Sequence, residues 1–158
     1  MAPLLTVDIP QEYGYVLLTA TGSLFLSTWH AFRVSPFRKA AGVNYPTQYA
    51  TDEQIAATAD ANKKKALYLF NCAQRAHYNF MENHTPFLVS LFVAGLKFPV
   101  AASVMGALWG VGRVLYATGY TRKDKESGKG RLMGAWASLL QIGLMGMAAK
   151  VGYDFVTA

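Results

Sequence analysis

The run FPVAASVMGALWGVGRVLYATGY, residues 98–120, holds a single ionised side chain, Arg113. A helix of that length spans the roughly 30 Å hydrocarbon core of a bilayer, which takes about 20 residues. A helix on the outside of a water-soluble bundle needs a charged face instead, and this run has none. Neither has YGYVLLTATGSLFLSTWHAF, residues 13–32. Hydrophobic residues make up 53% of the 158 and charged residues 15%, and the apolar ones come in blocks. Read with a window of about 19 residues, the sequence predicts four spans, at roughly 13–32, 66–95, 98–120 and 132–156. The expected fold is all-α: an integral membrane four-helix bundle, one membrane domain over 1–158, in preference to a soluble bundle. The second span is the least hydrophobic and relies on TPFLVSLFVAGL at its C-terminal end.

The formal net charge of +6 comes largely from two loops. Arg33, Arg38, Lys39, Lys63, Lys64 and Lys65 fall in the first, at roughly 33–65; Arg122, Lys123, Lys125, Lys129 and Arg131 fall in the second, at roughly 121–131. The positive-inside rule makes both loops cytosolic and puts both termini across the membrane. No aromatic-basic module accompanies the charge, so no nucleic-acid partner is expected. The first span lacks a basic segment before it and a small-residue cleavage site, and reads as a retained helix. TQYATDEQIAATADANKKKA (47–66) is the long polar stretch, with a short helix leading into the second span. Cys72, the sole cysteine, reads as a small buried hydrophobe. ESGKGR (126–131) lacks the GxxxxGK[ST] spacing of a phosphate loop and reads as a flexible turn. Gly106 and Gly110 have the spacing for close helix contact.

FNCAQRAHYNFMEN, residues 70–83, puts polar groups where a span should be apolar. At about 100° per residue, Arg75, Asn79 and Glu82 fall within about 60° of one another, with Asn71 on the same stripe. In the third span Arg113, Tyr116 and Tyr120 stand at i, i+3 and i+7, again within about 60°. Arg131 follows at the start of the fourth. His77 and His84 lie on roughly the opposite face, with no carboxylate or cysteine at ligand spacing, so no metal is expected. Ionised groups near the bilayer centre cost about 2.5–3.5 kcal/mol each on insertion scales and mark function by default. Two readings stay open. The stripes form a pocket, with arginines for carboxylates, a glutamate for an ammonium and tyrosine hydroxyls for an anion; or Arg75 and Glu82 merely neutralise each other and the tyrosines belong to an interfacial aromatic belt. Because neither stripe should find full satisfaction inside one bundle with a dry core, subunits are expected to share them.

FNCAQRAHYNFMEN followed by TPF, with GRVLYATGY (112–120) after it and HAFRVSP (30–36) before it, resembles the family of membrane-associated proteins in eicosanoid and glutathione metabolism. The resemblance covers almost the whole chain from EYGYVLLTA (12–20) onward. Within the family it is similar to the type 3 microsomal glutathione transferases, beside the leukotriene C synthases. It implies a homotrimer of four-helix subunits that binds glutathione, as substrate, between neighbours near the cytosolic face. Arg75, Asn79 and Glu82 match residues that hold the charged ends of the tripeptide; Tyr116 and Tyr120 match tyrosines of the same pocket, and Arg113 a basic position beside them. Arg131 matches the arginine that stabilises the thiolate, across a longer loop, with Arg122 as the fallback. His77, Asn83 and Trp29-His30 depart from the synthases, which have glutamine, tyrosine and two arginines there. The implied location is the endoplasmic reticulum membrane, with the outer mitochondrial membrane or nuclear envelope as alternatives.

The expected function is a membrane-bound glutathione transferase that joins the glutathione thiolate to a lipophilic electrophile, a leukotriene A-type epoxide among those allowed. Glutathione-dependent reduction of a lipid hydroperoxide stays open beside it. The alternative is a non-catalytic lipid-binding or scaffold protein of the lipoxygenase-activating type.

Overall fold

The computed structural model describes residues 8–125 and 127–157; residues 1–7, Ala158 at the far domain limit and Glu126 of ESGKGR lie outside the described residues. These form helices α1 (Tyr13–Ala41), α2 (Asp52–Ala57), α3 (Ala61–Gly95), α4 (Pro99–Tyr120) and α5 (Ala137–Thr157), with a 3-10 turn at Lys129–Gly134 between α4 and α5. No strand occurs among the described residues.

Each helix end has a local cause. α1 closes on Gly42, whose φ of 60° lets its N–H reach back to the Arg38 and Lys39 carbonyls, while those two cations sit against the negative end of the helix dipole. α2 opens with a capping box: Gln54 N–H donates to Thr51 Oγ1 at 3.2 Å and Thr51 N–H to Gln54 Oε1 at 3.1 Å. The Asp60 carboxylate accepts from Asn62 N–H at 2.8 Å and opens α3. Pro99 stands in the first turn of α4, where its missing N–H costs nothing. α1 runs past residue 32 to Ala41, because Arg38 buries its guanidinium against Tyr45 and Phe70, 4.2 and 4.7 Å from their ring centroids. The start expected for the fourth span falls instead in the 3-10 turn.

α3 packs against α1, α4 and α5, and α4 against α1 and α5. Trp109, Phe80, Phe87, Leu91 and Leu144 are fully buried where they meet, with Phe87 stacked on Trp109 at 3.8 Å. Trp109 Nε1 donates to Gln141 Oε1 at 3.0 Å, so the indole is buried without an orphaned donor. Outside, the helices wear large apolar side chains. Leu18, Phe25 and Phe32 repeat every seventh residue of α1 at 71, 74 and 75% exposure. α4 is the described helix long and apolar enough to cross a membrane, with a mean hydropathy of 1.4.

Glycines set how the 3-10 turn docks. A Cβ on Gly119 of α4 would strike the Gly130 carbonyl, and one on Gly134 would strike the Gly112 carbonyl and the Tyr116 amide. The turn therefore lies backbone to backbone along α4 and fixes where Arg131 stands. At Gly106 an added Cβ would meet Thr19 of α1 at 2.8 Å, whereas Gly110 has room.

Candidate functional site

The polar stripe of α3 is laid out by helical spacing alone. Two turns apart, Arg75 and Glu82 meet end to end: Nη1 donates to Oε1 at 2.7 Å and Nη2 to Oε2 at 3.2 Å. Both side chains are about half exposed, at 45 and 51%. Asn79, between them, turns toward α4, where Arg113 Nη2 donates to its Oδ1 at 2.6 Å and to its carbonyl at 2.9 Å. Arg113 is buried, with its guanidinium carbon 5.5 Å from the Trp109 centroid and 5.1 Å from that of Tyr116, and its Nε has no partner among the described residues. Within one chain Arg75 finds Glu82 along α3 and Arg113 finds Asn79 across to α3, while Arg113 Nε is left without a described partner, so satisfaction is partial.

Tyr116 and Tyr120 meet edge to face, ring centroids 5.6 Å apart. Beyond them the Arg131 guanidinium stands 5.6 Å from the Tyr120 ring centroid. Its Nη1 donates to the Gly128 carbonyl at 3.1 Å, while Nε and Nη2 bond no described residue. Among the described residues, three of its N–H groups, one on Nε and two on Nη2, have no acceptor. Arg122 lies in the exposed loop and is engaged by Asp124, at 2.9 Å through Nε and 2.7 Å through Nη2. That guanidinium holds the Asp124 carboxyl down at about 2.

A hollow of about 370 Å³ opens among these groups, lined by Tyr49, Asn71, Cys72, Arg75, Tyr120 and Gly128. Arg75 and Tyr120 line it and Arg131 flanks it through Gly128 and Tyr120. Asn79, Glu82, Arg113 and Tyr116 form a second cluster joined to it through Arg75 and Tyr120. Tyr49, Asp52, Tyr68 and Cys72 also line it and were not among the expected site residues. Tyr49 reaches in from the loop after α1, held there because Asn71 pairs with both the N–H and the carbonyl of Ala50 at 2.8 Å. Burial pushes the Tyr49 phenol up, against the pull of Arg75. Tyr68 accepts from Gly128 N–H at 2.6 Å and so ties α3 to the second loop. It stands seven before Arg75, on the same stripe, which was its available signal. Cys72, expected as a buried hydrophobe, is buried but on the wall of the hollow. His84 bonds Ser23 Oγ at 2.9 Å and stacks near Trp109 in the core; His77 lies half-buried beside Tyr78.

The two basic loops meet at this end of the molecule, with Arg33 donating to Thr121 and Lys65 facing Arg122 and Lys123 across one surface hollow. Among known proteins, a stretch of 74 residues is 31% identical to an uncharacterized protein of Synechocystis sp., covering 46% of this chain and 54% of that protein. The chain thus spans about half the length of that relative. The model of the MAPEG family matches residues 16–150, a range that takes in all four long helices' packed segments, the facing polar stripes and the 3-10 turn. With that match over most of its length, the chain belongs to the MAPEG family, a family of membrane proteins.

Proposed function

We propose that the protein is a glutathione transferase embedded in the endoplasmic reticulum membrane, similar in its chemistry to the type 3 microsomal transferases and the leukotriene C synthases. The family includes glutathione transferases and synthases. The observation that carries the reading is the placement of two cations around one hollow: Arg75 on its wall, and Arg131 beside it with Nε and Nη2 bonded to no described residue. Glutathione brings two carboxylates and an ammonium, to which arginines and Glu82 are complementary in sign. The Arg75–Glu82 pair is closed, and a ligand carboxylate and ammonium replace each partner with a group of the same charge as the pair opens. A free thiol has a pKa near 8.5, and lowering it by about two units takes roughly 2.7 kcal/mol. A guanidinium within a few ångströms of the sulfur in a partly dehydrated pocket is of the size needed. The thiolate sulfur bonds a carbon of the lipophilic electrophile; with an epoxide of the leukotriene A type that carbon's C–O bond breaks, and the released alkoxide takes a proton from water to give the hydroxy thioether. With a lipid hydroperoxide the thiolate takes the terminal oxygen as the O–O bond breaks and the lipid leaves as its alcohol, and a second glutathione displaces water from the resulting sulfenic acid to give glutathione disulfide.

The assembly we propose is a homotrimer with α3 at the subunit contact and all four long helices crossing the membrane. Its support is the half-exposed Arg75–Glu82 pair on the outward side of α3, since an ion pair left against lipid is costly. The apolar exteriors of α1 and α5 support the spans, and the meeting of the basic loops at one end supports their common cytosolic side.

The closed Arg75–Glu82 contact also favours a second reading, in which the stripe is structural and the protein is a lipid-binding scaffold. A glutathione titration in detergent, followed by mass spectrometry of products from a lipophilic epoxide, separates the two. Saturable binding with conjugate formation supports the transferase; no binding at millimolar glutathione selects the scaffold.

A further inference from the structure

Two hollows at the loop end join through shared walls. One, of about 350 Å³, is lined by Lys65, Arg122, Lys123 and Lys125. The other, of about 510 Å³, lies between α1 and α3 along Phe37, Ala40, Ala66 and Leu69. Lys65, Leu69 and Lys123 line both. Arg122 is neutralised by Asp124, whereas Lys65, Lys123 and Lys125 pair with no carboxylate among the described residues. The combined site is therefore cationic at one end and apolar at the other.

We propose that these joined hollows hold one anionic phospholipid of the leaflet beside the basic loops, its phosphate among Lys65, Lys123 and Lys125 and an acyl chain along Phe37, Ala40 and Leu69. A free phosphate would match the lysines and leave the groove unfilled. A zwitterionic choline lipid would bring an ammonium into a pocket that already holds three cations. An anionic lipid matches both ends, and the setting supplies it, because the family is a membrane family. The site shares only Tyr68 and Ser127 with the hollow at Arg75 and Tyr120, so lipid binding does not depend on the proposed glutathione chemistry.

The full chain, stripped of lipid in detergent, is offered dioleoylphosphatidylglycerol or dioleoylphosphatidylcholine, and retained lipid is counted by native mass spectrometry. The glycerol lipid is expected to be retained in preference. The triple variant Lys65→Gln/Lys123→Gln/Lys125→Gln should lose that preference, by roughly fivefold per lysine. Ala40→Trp fills the groove and leaves the lysines in place, and it should also lose the lipid. Equal retention of the two lipids, an unchanged triple variant, or thermal stabilisation by inorganic phosphate equal to that by the lipid overturns the proposal. So does Ala40→Trp keeping the lipid, which leaves surface charge alone as the cause, or Ala40→Trp changing the oligomeric mass, which makes a second copy the occupant of the groove.

Discussion

Arg75 and Arg113 are both arginines on facing stripes, yet their surroundings assign them different fates. Arg75 is half exposed and holds a half-exposed partner, so Arg75→Ala or Glu82→Ala should leave the thermal midpoint nearly unchanged. Glutathione affinity should fall by about tenfold or more, since a charge-assisted hydrogen bond contributes roughly 1.5–3 kcal/mol. Calorimetry and a melting curve on the same samples read both numbers; normal binding in both variants makes the stripe structural. Arg113 is buried against Trp109 and Tyr116. Arg113→Ala leaves Asn79 Oδ1 without its donor, at about 1–3 kcal/mol, and should lower the midpoint itself. Helical spacing made Arg75, Asn79, Glu82, Arg113, Tyr116 and Tyr120 legible, because side chains three, four and seven apart share a face whatever the tertiary fold. Arg131 was legible only through the family resemblance. Tyr49 was not legible at all: its place depends on Ala50 being clamped by Asn71, a contact between residues 21 apart.

At the scale of the element, the 3-10 turn decides where Arg131 stands. Gly119→Ala drives a methyl group into the Gly130 carbonyl, an overpacking that costs typically about 1–3 kcal/mol. Turnover should fall with displacement of Arg131, while far-ultraviolet circular dichroism keeps its helical signal; unchanged turnover would detach Arg131 from the chemistry. The neighbouring loop gives a pH signature. Arg122 holds Asp124 at about 2, below its usual carboxylate value. The folded loop therefore gains from this pair above the ordinary carboxylate range and loses the gain as pH falls through about 2. A nuclear magnetic resonance titration of the Asp124 carboxyl should place its midpoint there and return it to the usual range in Arg122→Leu. The four long helices overlap the four expected segments, and α4 is the one among the described helices that is long and apolar enough to cross a membrane. The helix ends were not legible, because Arg38 extends α1 by burying a cation between rings from two other segments, and because the glycines that dock the turn meet across a loop.

The whole molecule pairs an apolar core with large apolar side chains on its outer faces. Such a surplus of apolar surface follows from composition, so the all-α membrane class was readable in the sequence. Assembly was not, since it depends on surfaces that meet between copies, whereas helical spacing reports which residues share a face within one. In mild detergent the proposed trimer should give three times the 17.3 kDa chain mass, and an active monomer would refute shared sites. The central claim is that Arg131 turns bound glutathione into a thiolate, and the direct measurement is ultraviolet thiolate absorbance during a glutathione titration from about pH 6 to about pH 9. A saturable signal well below the free-thiol pKa of about 8.5 is expected, moving up toward that value in Arg131→Leu and staying in Arg122→Leu. No thiolate signal at saturating glutathione, or one that Arg131→Leu leaves in place, would contradict it.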